Sequence, residues 1–585
     1  MCGIFALLNN IHSNKHVDFN TINNEFMKGQ FRGPEHSILE NVSIDLLFGF
    51  HRLAINGLNP TSNQPIKIND IVLICNGEIY NYKELYKYLN ITPNTDSDCE
   101  VIIHLYEKFG IEYTLQLLDG VFAFILVDNN TENTNLYVAR DPYGVRPLYI
   151  VQNIDKTKVV GFSSEMKCLQ ELSKKYGDNY KIDFFEPGTY SKYNYPTKIL
   201  SKWCFVENKP YILQSCFAST LSYFCENDHS FMDFDKILYG IRNFLINSVY
   251  KRCYATHRPV ACLLSGGLDS SLITSIVCKY RKFYNLPPVE TYAIGLNGSE
   301  DLKYAEKASR FLKTNHKSII IEDNDFINAI PEVIHAIESY DTTTVRASIG
   351  NYLVSKYISK NSTAKVIFNG DGSDELFGGY LYFHNSPNAI EFDKECRRLL
   401  KNIHKYDVLR SDKSISSNGL EPRTPFLDRC FVQYVLSIPA KVRTFNFQKG
   451  YDKFKDVEKY LLRYAFDKEI CNYEYLPDDI LWRTKEAFSD GVSSRKNSLF
   501  EIIEQFVETK YTNEDLENAK EKYKHNTPTT KEQLYYRDIF ESHYAGQGHI
   551  IPEFWMPRFV DAKDPSARTL RIYYEENVEL RERSL

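Results

Sequence analysis

Two stretches of the 585-residue chain hold residues whose types and spacing could do chemistry. In Val260-Ala-Cys-Leu-Leu-Ser-Gly-Gly-Leu-Asp-Ser-Ser-Leu272 an apolar run stops at Ser265, Gly266 and Gly267, and helix-like periodicity resumes after Asp269. The pattern reads as strand, phosphate loop, helix. Paired glycines let backbone N–H groups close on an anion, and Ser270 and Ser271 add hydroxyls at a helix N-terminus of partial positive charge. Asp269 would repel a bare phosphate, which implies Mg2+ between the two. A lone Gly-Gly is more often a packing turn, but here it sits between a buried strand pattern and a helix pattern. The second stretch is the start, Met1-Cys-Gly-Ile-Phe5. With Met1 removed, the Cys2 thiol lies beside its own α-amine; such amines ordinarily titrate at about 7.7–8.0, so this one can act as an internal base.

Three further clusters suit the same work. Tyr340-Asp-Thr-Thr-Thr-Val-Arg-Ala-Ser348 places hydroxyls and Arg346 at a loop-to-helix junction, suited to phosphate or carboxylate. Asn369-Gly-Asp-Gly-Ser-Asp-Glu375 follows a strand and holds three carboxylates among glycines, suited to Mg2+ and an amine. Trp482-Arg-Thr-Lys485 offers a cation for charge developing on a leaving phosphate. Each alone would be read as a solvated charged loop.

The phosphate loop resembles that of ATP pyrophosphatases. Arg32-Gly-Pro-Glu35, His51-Arg-Leu-Ala-Ile55, Asn76-Gly-Glu-Ile-Tyr-Asn81, Ser97-Asp-Cys-Glu100, Arg140-Asp-Pro-Tyr-Gly-Val-Arg-Pro-Leu-Tyr149 and Ser164-Glu-Met-Lys167, with Cys2, resemble the N-terminal-nucleophile glutamine amidotransferases. In that order, and with Trp555-Met-Pro-Arg558 and Asp564-Pro-Ser-Ala-Arg-Thr-Leu570 at the end, nearly the whole chain is similar to the glutamine-hydrolysing asparagine synthetases.

Chemistry then gives each residue a task. Cys2 attacks the glutamine amide, and the Asn76 side chain and the Gly77 N–H, at a tight turn, stabilise the oxyanion. Arg52 pairs with the glutamine carboxylate, and Glu78 and Asp98 hold its ammonium; the resemblance implies that Leu53, Ala54, Ile55 and Asn56 complete the pocket. For the second site the resemblance implies that Leu263, Ile294, Asn369 and Gly370 contact nucleotide and Ser265 to Ser271 the phosphates. It further implies that Asp269 and Asp374 hold the Mg2+-diphosphate, and that Thr343, Thr344, Arg346, Asp371 and Lys485 hold aspartate or the intermediate. The reaction implied joins aspartate, glutamine and ATP through β-aspartyl-AMP and channelled ammonia; a cytosolic homodimer is the implied form. Where the family usually has Glu, this chain has Asp371, one methylene shorter, so synthesis is expected to be slowed unless a backbone shift restores the reach. A lactam-forming ligase on the same scaffold, or a nucleotide- or glutamine-binding sensor, remains an alternative. Such ligases tend to lack the cysteine.

The elements needed to position these residues follow from length and pattern. A chain this long exceeds one core; the turn residues of 184–190 read as closing the first domain, and with the boundary near 208 we expect residues 1–208 as a glutaminase domain and 209–585 as a synthetase domain. A formal charge of -6 and 43% hydrophobic residues describe a globular chain with no polyanion-binding signature. We therefore expect no nucleic-acid partner, and the apolar runs are too short for a membrane span. The thirteen scattered cysteines suit a reducing compartment. Strand-like runs at 3–9, 43–50, 71–75, 121–128, 136–139, 148–151 and 159–162 predict a strand-rich first half, of the αββα sandwich kind in the resembled family. Strict alternation of strand and helix patterns from 234 to 369 predicts a doubly wound parallel sheet with ligands at its carboxyl ends, followed by a helical region.

Overall fold

The structure is a computed structural model that describes residues 1–10, 16–129, 134–196, 202–212, 234–445, 457–483, 499–562 and 564–566. Gly3–Leu8 is buried along its whole length because both faces are covered. Ile4, Ala6 and Leu8 point into a core shared with Ile74, Ile125 and Val138, while Phe5 and Leu7 pack under Ile22 and Phe26. This two-residue alternation builds a sandwich of two antiparallel sheets. The first runs in the order Tyr180–Phe184, Tyr149–Asn153, Val159–Ser163, Gly3–Leu8, Leu46–Arg52, His36–Ser43; the second Cys204–Pro210, Thr189–Tyr195, Thr134–Arg140, Gly120–Asp128, Ile71–Ile79, Ile66–Ile68. Helices Phe19–Met27 and Gln170–Tyr176 cover one outer face, and Tyr82–Leu89 and Val101–Leu117 the other, giving the expected αββα order.

Three expectations need correction. The run 43–50 is two strands joined at Asp45, which takes φ +50. Ile71–Ile79 continues through Asn76 and Gly77, so these are strand residues opposite Ala123 and Phe122, not a tight turn. The 184–190 segment, whose turn residues suggest the close of the first domain, is instead internal, because Thr189–Tyr195 and Cys204–Pro210 extend the second sheet.

Beyond helix Phe234–Tyr254 lies a five-stranded parallel sheet in the order Asn315–Ile321, Glu290–Leu296, Val260–Leu263, Val366–Phe368, Glu421–Arg423. Helices Leu268–Phe283, Glu300–Leu312, Asp323–Ile337 and Thr342–Asn361 connect the strands, as the alternation predicts. The last strand is absent from that pattern: three residues give no readable period. The two halves share an apolar cluster that joins Phe5, Tyr149 and Met166 to Ile330, Ile503 and Phe540.

Candidate active site

At the first centre, the Cys2 thiol donates to the Leu53 carbonyl at 3.6 Å, and Arg32 Nε donates to the Cys2 carbonyl at 3.0 Å. Burial pushes the Cys2 thiol above its ordinary range, so it does not ionise unaided. The terminal amine, on Met1 here, is lowered by burial to about 6. Asn76 donates to Ser164 Oγ at 3.4 Å, while its buried Oδ1 has no partner among the described residues. The loop 53–57 is braced from the other half of the chain: Arg258 Nε donates to Ala54 O at 2.7 Å, and the His257 amide donates to Ile55 O at 3.0 Å.

The carboxylates nearby are held differently. Glu78 accepts from Asn56 at 2.8 Å and from Arg423 at 3.1 Å, yet burial and then Glu421 keep its pKa well above the usual range. Asp98 accepts the Ile79 amide at 2.7 Å, and burial raises it to about 6. Arg52 is engaged by the carbonyls of Asn59 at 3.0 Å and Gly57 and by Asn63 Oδ1 at 2.5 Å, so it presents no free fork to a carboxylate. His51 stacks on Phe26 at 3.9 Å, and burial lowers it to about 4, which makes it a neutral core residue.

The second centre opens where the parallel strands end. Gly266 at φ +76 has no room for a Cβ, which would meet the Ala305 backbone at 2.4 Å. Ser270 Oγ closes the loop on the Ser265 amide at 3.2 Å. At the facing loop, Gly370 lies against Asp269, whose Cβ is 2.7 Å from where a side chain would start. Asp269 and Asp374 converge on Lys459 Nζ, each at 2.6 Å. Arg410 bridges Asp371 at 3.2 Å and Asp407 at 3.0 Å, and burial holds Asp371 above its ordinary pKa. Tyr380 donates to Glu375 at 2.5 Å, and burial and then Asp407 raise that carboxyl.

One helix, Asp407–Ser416, touches both centres. On one side Arg410 holds Asp371, and Ser411 Oγ accepts from Asn369 at 2.7 Å. On the other, Asp412 accepts at 2.8 Å from the same Arg32 that binds the Cys2 carbonyl.

Residues 1–192 match the family model of a glutamine amidotransferase domain, and residues 240–391 and 386–556 match that of asparagine synthase. The glutamine-hydrolysing asparagine synthetases of Gallus gallus, Mus musculus and Homo sapiens are 43%, 41% and 40% identical to this chain, over 98% of it and 99% of each of them. The chain belongs to the glutamine-hydrolysing asparagine synthetase family.

Most residues expected at the synthetase site of this family do meet in one cavity. Its walls include Leu263, Ser265, Gly267, Asp269, Ser270, Ile294, Thr343, Asn369, Gly370, Asp371 and Asp374. Thr343 Oγ1 is buried without a partner among the described residues, which leaves it able to serve a ligand. Others are placed elsewhere. Ser271 is wholly buried behind the loop, and Thr344 Oγ1 donates to the helix cap Asp341 at 2.7 Å. Arg346 is 4% exposed and forks onto Glu532, at 2.8 and 2.5 Å, and onto Asp564 at 2.9 Å, so here it ties the tail to the domain and is not offered to phosphate. Lys485 and the tail beyond 566 lie outside the described residues. Sequence reasoning missed Lys459, Asp407 and Arg410; the last two stand in a plain amphipathic helix, where charge alone carries no signal.

Proposed function

We propose that the chain makes asparagine from aspartate, ATP and glutamine, with Cys2 releasing the nitrogen and the 265–271 and 369–375 loops activating the acid. The observation that carries this is the single helix Asp407–Ser416, which joins the Cys2 carbonyl through Arg32 to Asp371 through Arg410. The Cys2 proton passes to the terminal amine, and the thiolate adds to the glutamine carbonyl under Asn76. The terminal ammonium returns the proton to the departing nitrogen, so collapse expels ammonia and leaves a thioester, which water hydrolyses to glutamate. In the second cavity the aspartate side-chain carboxylate attacks the α-phosphorus of ATP and expels diphosphate. Ammonia then displaces AMP from the mixed anhydride. Activation is needed because a free carboxylate is a poor electrophile, and confinement keeps ammonia from becoming unreactive ammonium.

Asp269 and Asp374 fit a hard divalent cation, since both already aim at one positive centre, the Lys459 ammonium. Among the described residues no group of three or more His, Cys, Asp or Glu converges on a metal position. Two carboxylates leave room for phosphate oxygens and water, as Mg2+ accepts. When bound, Mg2+ would offset charge on the departing diphosphate; Ser265, Ser270 and the loop amides would orient it. Asp98 suits the glutamine ammonium, whereas Glu78 is already engaged by Asn56 and Arg423. We place the chain in the cytosol as a homodimer on family grounds. No helix among the described residues is long and apolar enough to cross a membrane.

The test is the nitrogen source. The native chain should form asparagine with glutamine or with ammonia. Cys2→Ala should lose about 10⁴-fold or more of the glutamine-dependent rate while keeping the ammonia-dependent one. Loss of both, or of neither, would overturn the assignment.

A further inference from the structure

A second cavity, of about 710 Å³, lies between the two halves of the chain, apart from both reaction centres. That volume is within the roughly 300–1,000 Å³ of small-molecule sites. Its walls are apolar at Phe184, Leu436 and Pro552 and cationic at Lys401 and Lys405. These two lysines are four positions apart, at the end of helix Ala389–Asn402 and in the turn Ile403–Lys405. Among the described residues neither ammonium makes an ion pair or hydrogen bond. Of the acidic groups in the lining, Asp183 accepts from Gln152 at 3.3 Å and lies 3.8 Å from His549, while the exposed Glu186 acts on Lys405 through space without a direct ion pair. Burial and then Lys401 lower the pKa of Lys405, and the carboxylates of Glu553 and Glu186 oppose this without cancelling it.

We propose that this cleft is a binding site for a small molecule with a dianionic headgroup and an apolar body, the headgroup set between Lys401 and Lys405 and the body against Phe184 and Leu436. Such a ligand would touch both domains and brace them. It would also press on His404, which stands edge-on to Phe184 at 5.5 Å and whose Cβ would be 2.7 Å from any Cβ added at Gly144. The loop containing Gly144 also bears Arg146, whose guanidinium reaches Asp412 at 3.4 Å on the helix shared by the two centres. The site is thus placed to influence both reactions without contacting either substrate.

Calorimetric titration of the full chain tests this with phenyl phosphate and, in parallel, phenylmalonate; phenol is the uncharged control. One saturable site is expected for at least one dianion and none for phenol; which dianion binds tells a phosphate from a dicarboxylate ligand. The Lys401→Ala/Lys405→Ala double variant should weaken it tenfold or more, while Lys394→Ala, on the same helix but paired with Glu391 at 2.7 Å, should not. No saturation by about 10 mM, a complex weaker than any ordinary metabolite site, would overturn the proposal. Affinity unchanged in the double variant would do so equally.

Discussion

The two reaction centres are secured in opposite ways. Around Cys2 the main chain does most of the holding: Leu53 O takes the thiol, the Ile79 amide fixes Asp98, and carbonyls of Asn59 and Gly57 join Asn63 Oδ1 in occupying Arg52, while Glu78 is held by side chains, Asn56 and Arg423. In the second cavity side-chain charges hold one another, Lys459 between Asp269 and Asp374 and Arg410 between Asp371 and Asp407. A centre fixed by backbone is already arranged for its transition state. A centre of balanced charges can exchange an internal partner for a substrate one, at a cost set by what that partner leaves behind.

The sharpest break of this contrast is Asp371→Glu. If the short side chain holds the synthetase centre back, restoring the methylene should speed pyrophosphate release by up to about 10²-fold, since about 1 Å of misplacement costs that much. An unchanged or slower rate would mean that Arg410 already positions Asp371 correctly. Next comes Lys459→Met. It leaves two carboxylates, 19% and 18% exposed, facing each other without their cation. Stability should fall by about 1–3 kcal/mol, and Mg2+ alone should raise the melting temperature of the variant more than that of the native chain. Equal responses would remove Lys459 as the resident counter-charge.

The smallest effect is expected at the first centre. Burial raises Asp98 from 3.8 to about 6, so the folded state binds its proton more tightly than the unfolded chain. Its contribution to stability is therefore present below about pH 4 and lost as pH rises through about 6. Binding of an ammonium needs the ionised form, so the KM for glutamine should rise severalfold as pH falls below 6. Asp98→Asn should flatten that profile; an unaltered slope would release Asp98 from this role.

Parts of both centres were legible because short contiguous strings specify backbone. Cys2 and Leu53 flank strands whose alternation is readable, and Asp98 follows the Ser97 cap that opens a helical stretch. The doubly wound sheet was readable for the same reason, down to helix Phe234–Tyr254, whose apolar stripe runs along most of its length. What escaped was long-range pairing. Arg346 looked like a phosphate ligand until Glu532, far along the chain, supplied its partner. Lys459 gave no local sign, since only the fold brings it to Asp269. Strand Glu421–Arg423 was too short to show a period, and Asn76 and Gly77 read as a turn because glycine after asparagine usually marks one.

The central claim is that nitrogen freed at Cys2 is used within the same molecule. Glutamine labelled with 15N at the amide, given with aspartate, ATP and Mg2+ in a pool of unlabelled ammonium, tests it directly. Internal transfer predicts asparagine enriched in 15N well above the labelled fraction of the bulk ammonia. Asparagine carrying no more label than that pool would contradict it.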